Sequence, residues 1–363
     1  MRAFINGYDS LSCAGNTEEL MKAIYSKKSA ITIDTSFMSE TPVGLGIMKY
    51  EDFFVLLKSV VHSVLKDSNL DNFQNTLLIV GSSVGGMAES EAHYFKNKNY
   101  KRIDPARHAI SVISDVLQEE FNFYDTRAIS TACTSSANAF LLAKRLIDVE
   151  AYENVLVVGA DALCYTTVCG FYALSVLSSE PCTPFQEGRE GMNVAEAIAA
   201  VLVQNEQTSG SIELVGVGAS SDAYHMTNPD PEAGGAISSM SKALEDAKLN
   251  ADDIDYVNAH GTGTQANDKV EGHAVETLFD GVYVSSTKAI TGHTLGAAGA
   301  LEAIISCETI KQGIIPPQTN CGDVENSTIN IPFESVKREI KYVLSNSFAF
   351  GGNNTSVIFG GLK

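Results

Sequence analysis

Three residues carry the chemistry open to this sequence. Cys133 stands in Thr131-Ala132-Cys133-Thr134-Ser135-Ser136, where a short apolar strand is expected to turn into a helix rich in small residues. The free N–H groups and dipole of a helix start favour thiolate over thiol, which would bring a cysteine pKa of about 8.5 down towards neutral pH. The alternative is a buried structural cysteine. Its small Ser and Ala neighbours, which leave space for a substrate, weigh against that, and the local sequence leaves both readings open.

Two histidines have matching settings. His260 lies in Asn258-Ala259-His260-Gly261-Thr262-Gly263-Thr264, directly after the apolar stretch Ile254–Val257, and His293 lies in Thr291-Gly292-His293-Thr294-Leu295-Gly296, directly before a second small-residue helix. Each falls at the end of an element beside glycine, where loops hold catalytic groups close to a ligand. A single such histidine is more often a satisfied core or surface residue. Two, with a cysteine at a helix start, point to a nucleophile with imidazole partners. His62, His93, His108, His225 and His273 lack this setting. The three chosen residues are 127 and 33 positions apart, with no short-spaced pair to preorganise zinc, so no metal is expected. Gly81-Ser82-Ser83-Val84-Gly85-Gly86 matches no phosphate-loop spacing and reads as a tight turn.

The elements that must position these residues alternate along the chain. Runs at Thr76–Val80, Val155–Val158, Ala199–Val203, Ile212–Val217, Tyr283–Ser286, Tyr342–Ser345 and Thr355–Phe359 read as strands, several of them apolar throughout and so buried on both faces. Helical patterns lie between, at Ser135–Val149, Ala236–Lys248 and Leu295–Gln312. The alternation predicts an α/β architecture. Residues 127–150 and 282–312 share one layout, strand to turn to small-residue helix, with reactive groups at equivalent turns. That suggests a duplicated unit.

Composition bounds the rest. The chain has 363 residues, 44% hydrophobic and 19% charged, with 25 basic against 44 acidic side chains for a net charge of −19. Disorder, collagen and coiled coil are excluded. At about 150 residues per domain the length gives roughly two domain equivalents, but no Pro/Gly/Ser-rich linker divides it and one continuous fold is expected. The acidic balance argues against nucleic acid or an anionic membrane as partner. Met1–Gly15 holds no signal-peptide apolar stretch, and nothing approaches about 18 consecutive apolar residues. Seven cysteines without a CxxC pair fit a reducing, cytoplasmic setting, with Cys164 and Cys169 as small core residues.

Taken together these segments resemble the β-ketoacyl–acyl-carrier-protein synthases, condensing enzymes of the thiolase superfamily, and most closely the elongating Cys-His-His type. Thr131–Ser136 resembles the nucleophile motif and Asn258–Thr264 the first histidine motif; Ser286-Thr287-Lys288 through Gly299 resembles the lysine and second-histidine motif. Asn346-Ser347-Phe348-Ala349-Phe350-Gly351-Gly352-Asn353-Asn354 is similar to the phenylalanine-gate loop.

The resemblance implies a thiolase-like five-layered αβαβα fold of two related halves, 1–205 carrying the cysteine and 206–363 carrying both histidines. It implies that Cys133 takes an acyl chain from an acyl-carrier thioester. His260 and His293 would bind the thioester carbonyl of a malonyl-carrier, whose decarboxylation gives an enolate that attacks the acyl group. Lys288 would orient the network, with Glu271 and Asp268 as its carboxylate partners. The N–H groups of Cys133 and Phe350 would form an oxyanion hole, and Thr262 and Thr264 would contact phosphopantetheine. That group travels on the acyl carrier protein, and the enzyme needs no cofactor of its own. The implied assembly is a homodimer, or a heterodimer with a synthase-like chain-length partner. Two imidazole donors at developing negative charge, worth about 3–4 kcal/mol apiece, support this chemistry without a metal. A thiolase would need a further base, usually a second cysteine, and Gly351-Gly352 offers none.

The chain departs from the pattern in places. It is short between Gly86 and Arg127, a segment that in the family caps the pocket and builds the dimer surface; the strand Ala195-Glu196-Ala197-Ile198-Ala199 has Ala where glycine is usual, and Gln265 stands where proline is frequent. These changes spare the reacting groups and suggest a specialised branch, such as a polyene or polyketide pathway. Docking an acidic carrier onto an acidic chain needs local positive charge, and Lys96, Lys98, Lys101 and Arg102 form the densest cluster, otherwise read as a solvated loop. Two rivals remain: a Cys-His thioesterase or acyltransferase, which would not need the second histidine motif, and a non-catalytic partner subunit, which would not need Cys133.

Overall fold

Ten strands fall into two sets of five with the same internal order. The computed structural model describes residues 1–362 apart from 39–40, 50–51, 67, 69, 71–72, 74, 102, 320–321 and 326–327. In the first set are β1 (Ala3–Ser12), β2 (Thr76–Gly81), β3 (Asp125–Ile129), β4 (Asn154–Asp161) and β5 (Ala197–Gln204). In the second are β6 (Ile212–Ser221), β7 (Tyr256–Asn258), β8 (Tyr283–Ser285), β9 (Tyr342–Phe348) and β10 (Asn353–Gly361). The first runs β3-β2-β4-β5-β1 and the second β8-β7-β9-β10-β6. Parallel and antiparallel pairings also correspond: β2 is parallel to β3 and β4, β7 to β8 and β9, and the remaining neighbours are antiparallel. The sets join where β1 pairs β6 over Ala3 to Ile5.

Period-2 alternation along these strands builds the layers. Leu78, Val80, Leu156, Val158, Ile198, Ala200 and Leu202 face α1 (Phe53–Lys66) and α2 (Val112–Phe121). Their neighbours Leu77, Ile79, Val155, Val157, Ala199 and Val201 face α3 (Ser135–Asp148) and α6 (Ala298–Gln312), which also pack on Val217, Val357 and Phe359 of the second sheet. The outer face of that sheet, with Val257, Val284, Leu344 and Ile358, is covered by α4 (Gly234–Ala247) and α5 (Gln265–Leu278). The result is helix, sheet, paired helices, sheet, helix. Runs that are apolar throughout, as in β2 and β4, are buried along their whole length, as expected for strands covered on both faces.

The small residues of the central helices have a packing reason. A Cβ on Gly299 would lie 2.6 Å from the backbone nitrogen of Ala137, so α3 and α6 meet closely only because no side chain intervenes. Both helices begin at the turns that carry the reactive groups. No helix among the described residues is long and apolar enough to cross a membrane.

Candidate active site

Cys133 sits on a tight elbow between β3 and α3. Ala132 has φ of 53°, a left-handed conformation that a side chain with a Cβ disfavours by about 1–2 kcal/mol. Neighbouring hydroxyls hold the turn: Ser135 Oγ and Ser83 Oγ both donate to the Ala132 carbonyl, at 2.6 and 3.0 Å, and Thr134 Oγ1 donates to Thr131 O at 2.7 Å.

His260 follows β7. Its N–H and that of Gly261 donate to the two oxygens of Glu271 on α5, at 2.8 and 2.7 Å, and Asn346 Nδ2 adds a third bond at 3.1 Å. His293 follows the short helix Lys288–Thr291 and its cap Gly292. Its N–H donates to Asn193 O at 2.7 Å, and Ala195 N–H donates to its carbonyl at 3.0 Å, so the turn that carries His293 is pinned to a segment about a hundred residues earlier in the chain. Ala195 ends a short strand, Val194–Ala195, that pairs with Leu45 and Gly46, so the single strand expected over Ala195–Ala199 is broken at Glu196 before β5 begins.

These anchors bring the three residues together. His293 Nε2 lies 3.0 Å from Cys133 Sγ, and the two imidazole rings stand edge-on, centroids 5.1 Å apart at 87°. One ligand-type atom from each residue falls within a span of 4.8 Å, a compactness that separations of 127 and 33 residues did not suggest. Lys288 Nζ is 3.5 Å from His260 Nδ1 and opposes any second cation there. As a donor it also fixes neutral His260 with its proton on Nε2, the nitrogen remaining for the reaction.

Electrostatics overturn one expectation. Burial pushes the Cys133 thiol up to about 12; the nearby Lys288 cation and the residue's own backbone N–H at the helix start offset only part of this, so the thiol ends above its usual range, not below it. Both histidines are held well below the usual imidazole range, first by burial and then by Lys288. The resting pair is therefore a neutral thiol on a neutral imidazole. Burial also pushes the Glu271 carboxyl up to about 7, against the pull of its three hydrogen bonds.

The carboxylate partner of Lys288 is likewise corrected. Its ammonium pairs with Glu302 on α6, not with Glu271 or Asp268. Glu271 is taken up by the His260 loop, whereas Asp268 accepts N–H bonds from Phe185 and Gly263 and pairs with Arg189 at 3.3 Å. Glu302 went unread because it follows Leu301 directly in a helix judged only for its small residues. A carboxylate within the otherwise apolar first two turns of a buried helix was the available signal.

Cys133, His260, His293, Thr262, Thr264 and Phe350 all line one cavity of about 60 Å³. Thr262 and Thr264 hydroxyls lie 2.9 Å apart in its wall, and the Phe350 ring meets Phe171 at 6.0 Å. Phe171 and Met192, also in the lining, were not singled out from sequence. A wider depression of about 870 Å³ adjoins it at Asn228 and Pro229. Lys96, Lys98 and Lys101 are exposed and lie outside this lining; Arg102 and Cys321 lie outside the described residues. Cys164 is buried, while Cys169 is only half-buried, not a full core residue.

Comparison with known proteins agrees with this geometry. Residues 45–209 match the beta-ketoacyl synthase N-terminal domain and residues 211–322 its C-terminal domain. The chain is 32% identical to 3-oxoacyl-[acyl-carrier-protein] synthase 2 of Coxiella burnetii, covering 98% of each chain. It is 30% identical to the protein so named in Staphylococcus aureus (strain MRSA252), covering 99% and 98%. The Coxiella alignment spans 405 positions against 363 residues, so at least 42 positions of it have no counterpart here. A ketosynthase from Xenorhabdus doucetiae, solved in complex with its chain length factor, superposes with a TM-score of 0.91 at 29% identity over 99% of this chain and 98% of that one. A beta-ketoacyl synthase from Burkholderia phymatum STM815 superposes at 0.89 with 26% identity over the whole of both chains. With the five layers, the duplicated strand order and the Cys-His-His cluster, these matches place the chain in the β-ketoacyl synthase family, the condensing acyltransferases of the thiolase fold.

Proposed function

We propose that the chain elongates acyl chains on an acyl carrier protein, with Cys133 as nucleophile. The observation that carries this is the 3.0 Å contact of Cys133 Sγ with His293 Nε2, beside a second imidazole fixed by Lys288. In the first half-reaction Cys133 sulfur attacks the acyl-carrier thioester carbonyl, the carrier thiolate leaves, and the thiol proton passes through His293 to it. The oxyanion formed in between is held by the N–H groups of Cys133 and Phe350.

A malonyl thioester then takes the place of the departed carrier. Its carbonyl oxygen accepts from Nε2–H of His260 and from Nε2–H of His293, whose ring proton moves from Nδ1 to Nε2 through solvent once the thiol is acylated; the bond to the carboxylate breaks, and CO2 leaves with the electron pair now in an enolate. The enolate carbon attacks the acyl carbonyl on Cys133, and the thiolate departs and takes up a proton from solvent. The product is a 3-oxoacyl-carrier thioester. CO2 loss makes bond formation effectively irreversible, so no strong base is required. Thr262 and Thr264 line the route of the phosphopantetheine arm, and the chain supplies no cofactor itself.

The repeated strand order supports a division into halves at 1–205 and 206–363, with the nucleophile in the first and both histidines in the second. The likeness to a ketosynthase solved with a chain length factor supports a polyketide or polyene branch and a synthase-like partner chain, with a homodimer as the rival assembly. A cytoplasmic location suits an enzyme served by a carrier protein.

Intact mass after incubation with acyl-carrier thioesters, for the natural chain and Cys133→Ala, tests the reading, followed by malonyl-carrier and CO2 measurement. The expected result is a mass gain confined to the natural chain, then discharge with CO2. Slow hydrolysis without CO2 would sink it in favour of a thioesterase.

A further inference from the structure

We propose that Asp161 is a positioning residue that locks the elbow carrying Cys133 to the turn carrying His293 and so sets their contact. This rests on the reading of those two residues as the reacting pair. Asp161 closes β4 and is fully buried. One of its oxygens accepts from Ser82 Oγ at 2.5 Å and Val84 N–H at 2.8 Å, Ser83 N–H reaches both oxygens at 3.0 Å, and Gly296 N–H donates to the other at 2.7 Å.

Two of these donors lead to the reacting atoms. Ser83 Oγ donates to Ala132 O at 3.0 Å, one residue before the nucleophile. Gly296 lies three residues after His293. A continuous path therefore runs from Cys133 through Ala132, Ser83, Asp161 and Gly296 to His293, crossing from one half of the molecule to the other.

The backbone along that path needs such a clamp. Ala132 and Leu295, both non-glycine, each have φ of 53°, on either side of the Sγ–Nε2 contact. Conformations of this kind persist where surrounding bonds over-determine them. A Cβ on Gly296 would stand 2.7 Å from Ser83 N and 2.8 Å from Asp161 Oδ2, so the three parts already touch. Four donors converging on two oxygens suit a carboxylate, which is acceptor-only, and not an amide, whose NH2 would face donors. Asp161 is absent from the cavity lining, which separates it from the groups that meet substrate.

Asp161→Asn and Ser83→Ala test this in the intact chain, reading single-turnover acylation of Cys133, KM for the acyl-carrier thioester, alkylation of Cys133 by iodoacetamide, and Tm. Misplacement of reacting groups by about 1 Å lowers rates about 100-fold. Asp161→Asn is expected to slow acylation about 100-fold with KM unchanged, and Ser83→Ala to slow it about tenfold with Tm unchanged. Both should change the alkylation rate, which a general loss of stability in a still-folded chain would not. Wild-type acylation and alkylation in Ser83→Ala, with any loss in Asp161→Asn explained by its unfolded fraction, would overturn the proposal. A natural chain that takes no acyl group removes the functional reading instead, and the alkylation rates then decide this one.

Discussion

Lys288 Nζ stands 3.5 Å from Nδ1 of His260 while its charge is matched by Glu302, so one buried ammonium is shared between a cavity-lining imidazole and a carboxylate on the central helix. All three side chains are almost wholly buried. An ammonium in such a place is tolerated only with its counter-ion.

Glu302→Gln would therefore act through Lys288. Removing one member of a buried pair destabilises by about 3–5 kcal/mol, and a displaced ammonium no longer fixes the His260 tautomer. Malonyl-carrier decarboxylation is expected to fall about 100-fold in Glu302→Gln and in Lys288→Ala. The double variant should be little worse than either, because the two residues act as a unit. Additive losses measured by CO2 release would break the pairing argument.

The neutral thiol predicts a plain titration. With the Cys133 thiol at about 12, its thiolate fraction rises about tenfold per pH unit throughout the accessible range. Iodoacetamide alkylation of Cys133, followed by mass, should climb log-linearly from about pH 7 to 10 without levelling. A plateau below about pH 8 would mean that the helix start and His293 outweigh burial.

Legibility from sequence followed physical locality. Cys133, His260 and His293 were readable because each sits at an element end, where its neighbours reveal the turn. The strands were readable because double burial leaves runs such as Leu77–Val80 apolar throughout. The partner of Lys288 was not: Glu271 was nearest in motif, yet α5 turns it to the backbone of His260, while Glu302 arrives from α6. Asp161 was hidden similarly, a single acid ending an apolar strand. Contacts between residues far apart in sequence, such as Asn193 with His293, leave no periodic trace in one chain.

Carrier docking makes a separate test. Lys96, Lys98 and Lys101 are exposed, and Lys98 lies 5.6 Å over the ring of Phe95, in a chain of charge −19. Charge reversal at a rim acts on encounter more than on chemistry. Lys98→Glu with Lys101→Glu should raise KM for carrier thioesters several-fold at low salt and leave kcat unchanged. Equal KM values in both proteins would place docking on another face.

Glu271 predicts the acid limb of the rate profile. Its ionised form accepts from His260 and Gly261 N–H on separate oxygens; protonation puts a hydrogen on one of them and forces a donor to face a donor. Burial raises this carboxyl to about 7, so the ionised, loop-holding form is lost as pH falls through 7 and gained as it rises. Condensation kcat should accordingly increase with pH between about 6 and 8. Glu271→Gln carries an NH2 permanently, so its rate should resemble the low-pH wild type and lose that limb. A natural chain with a flat profile across 6 to 8, or a Gln variant that keeps the limb, would assign the titration to another group.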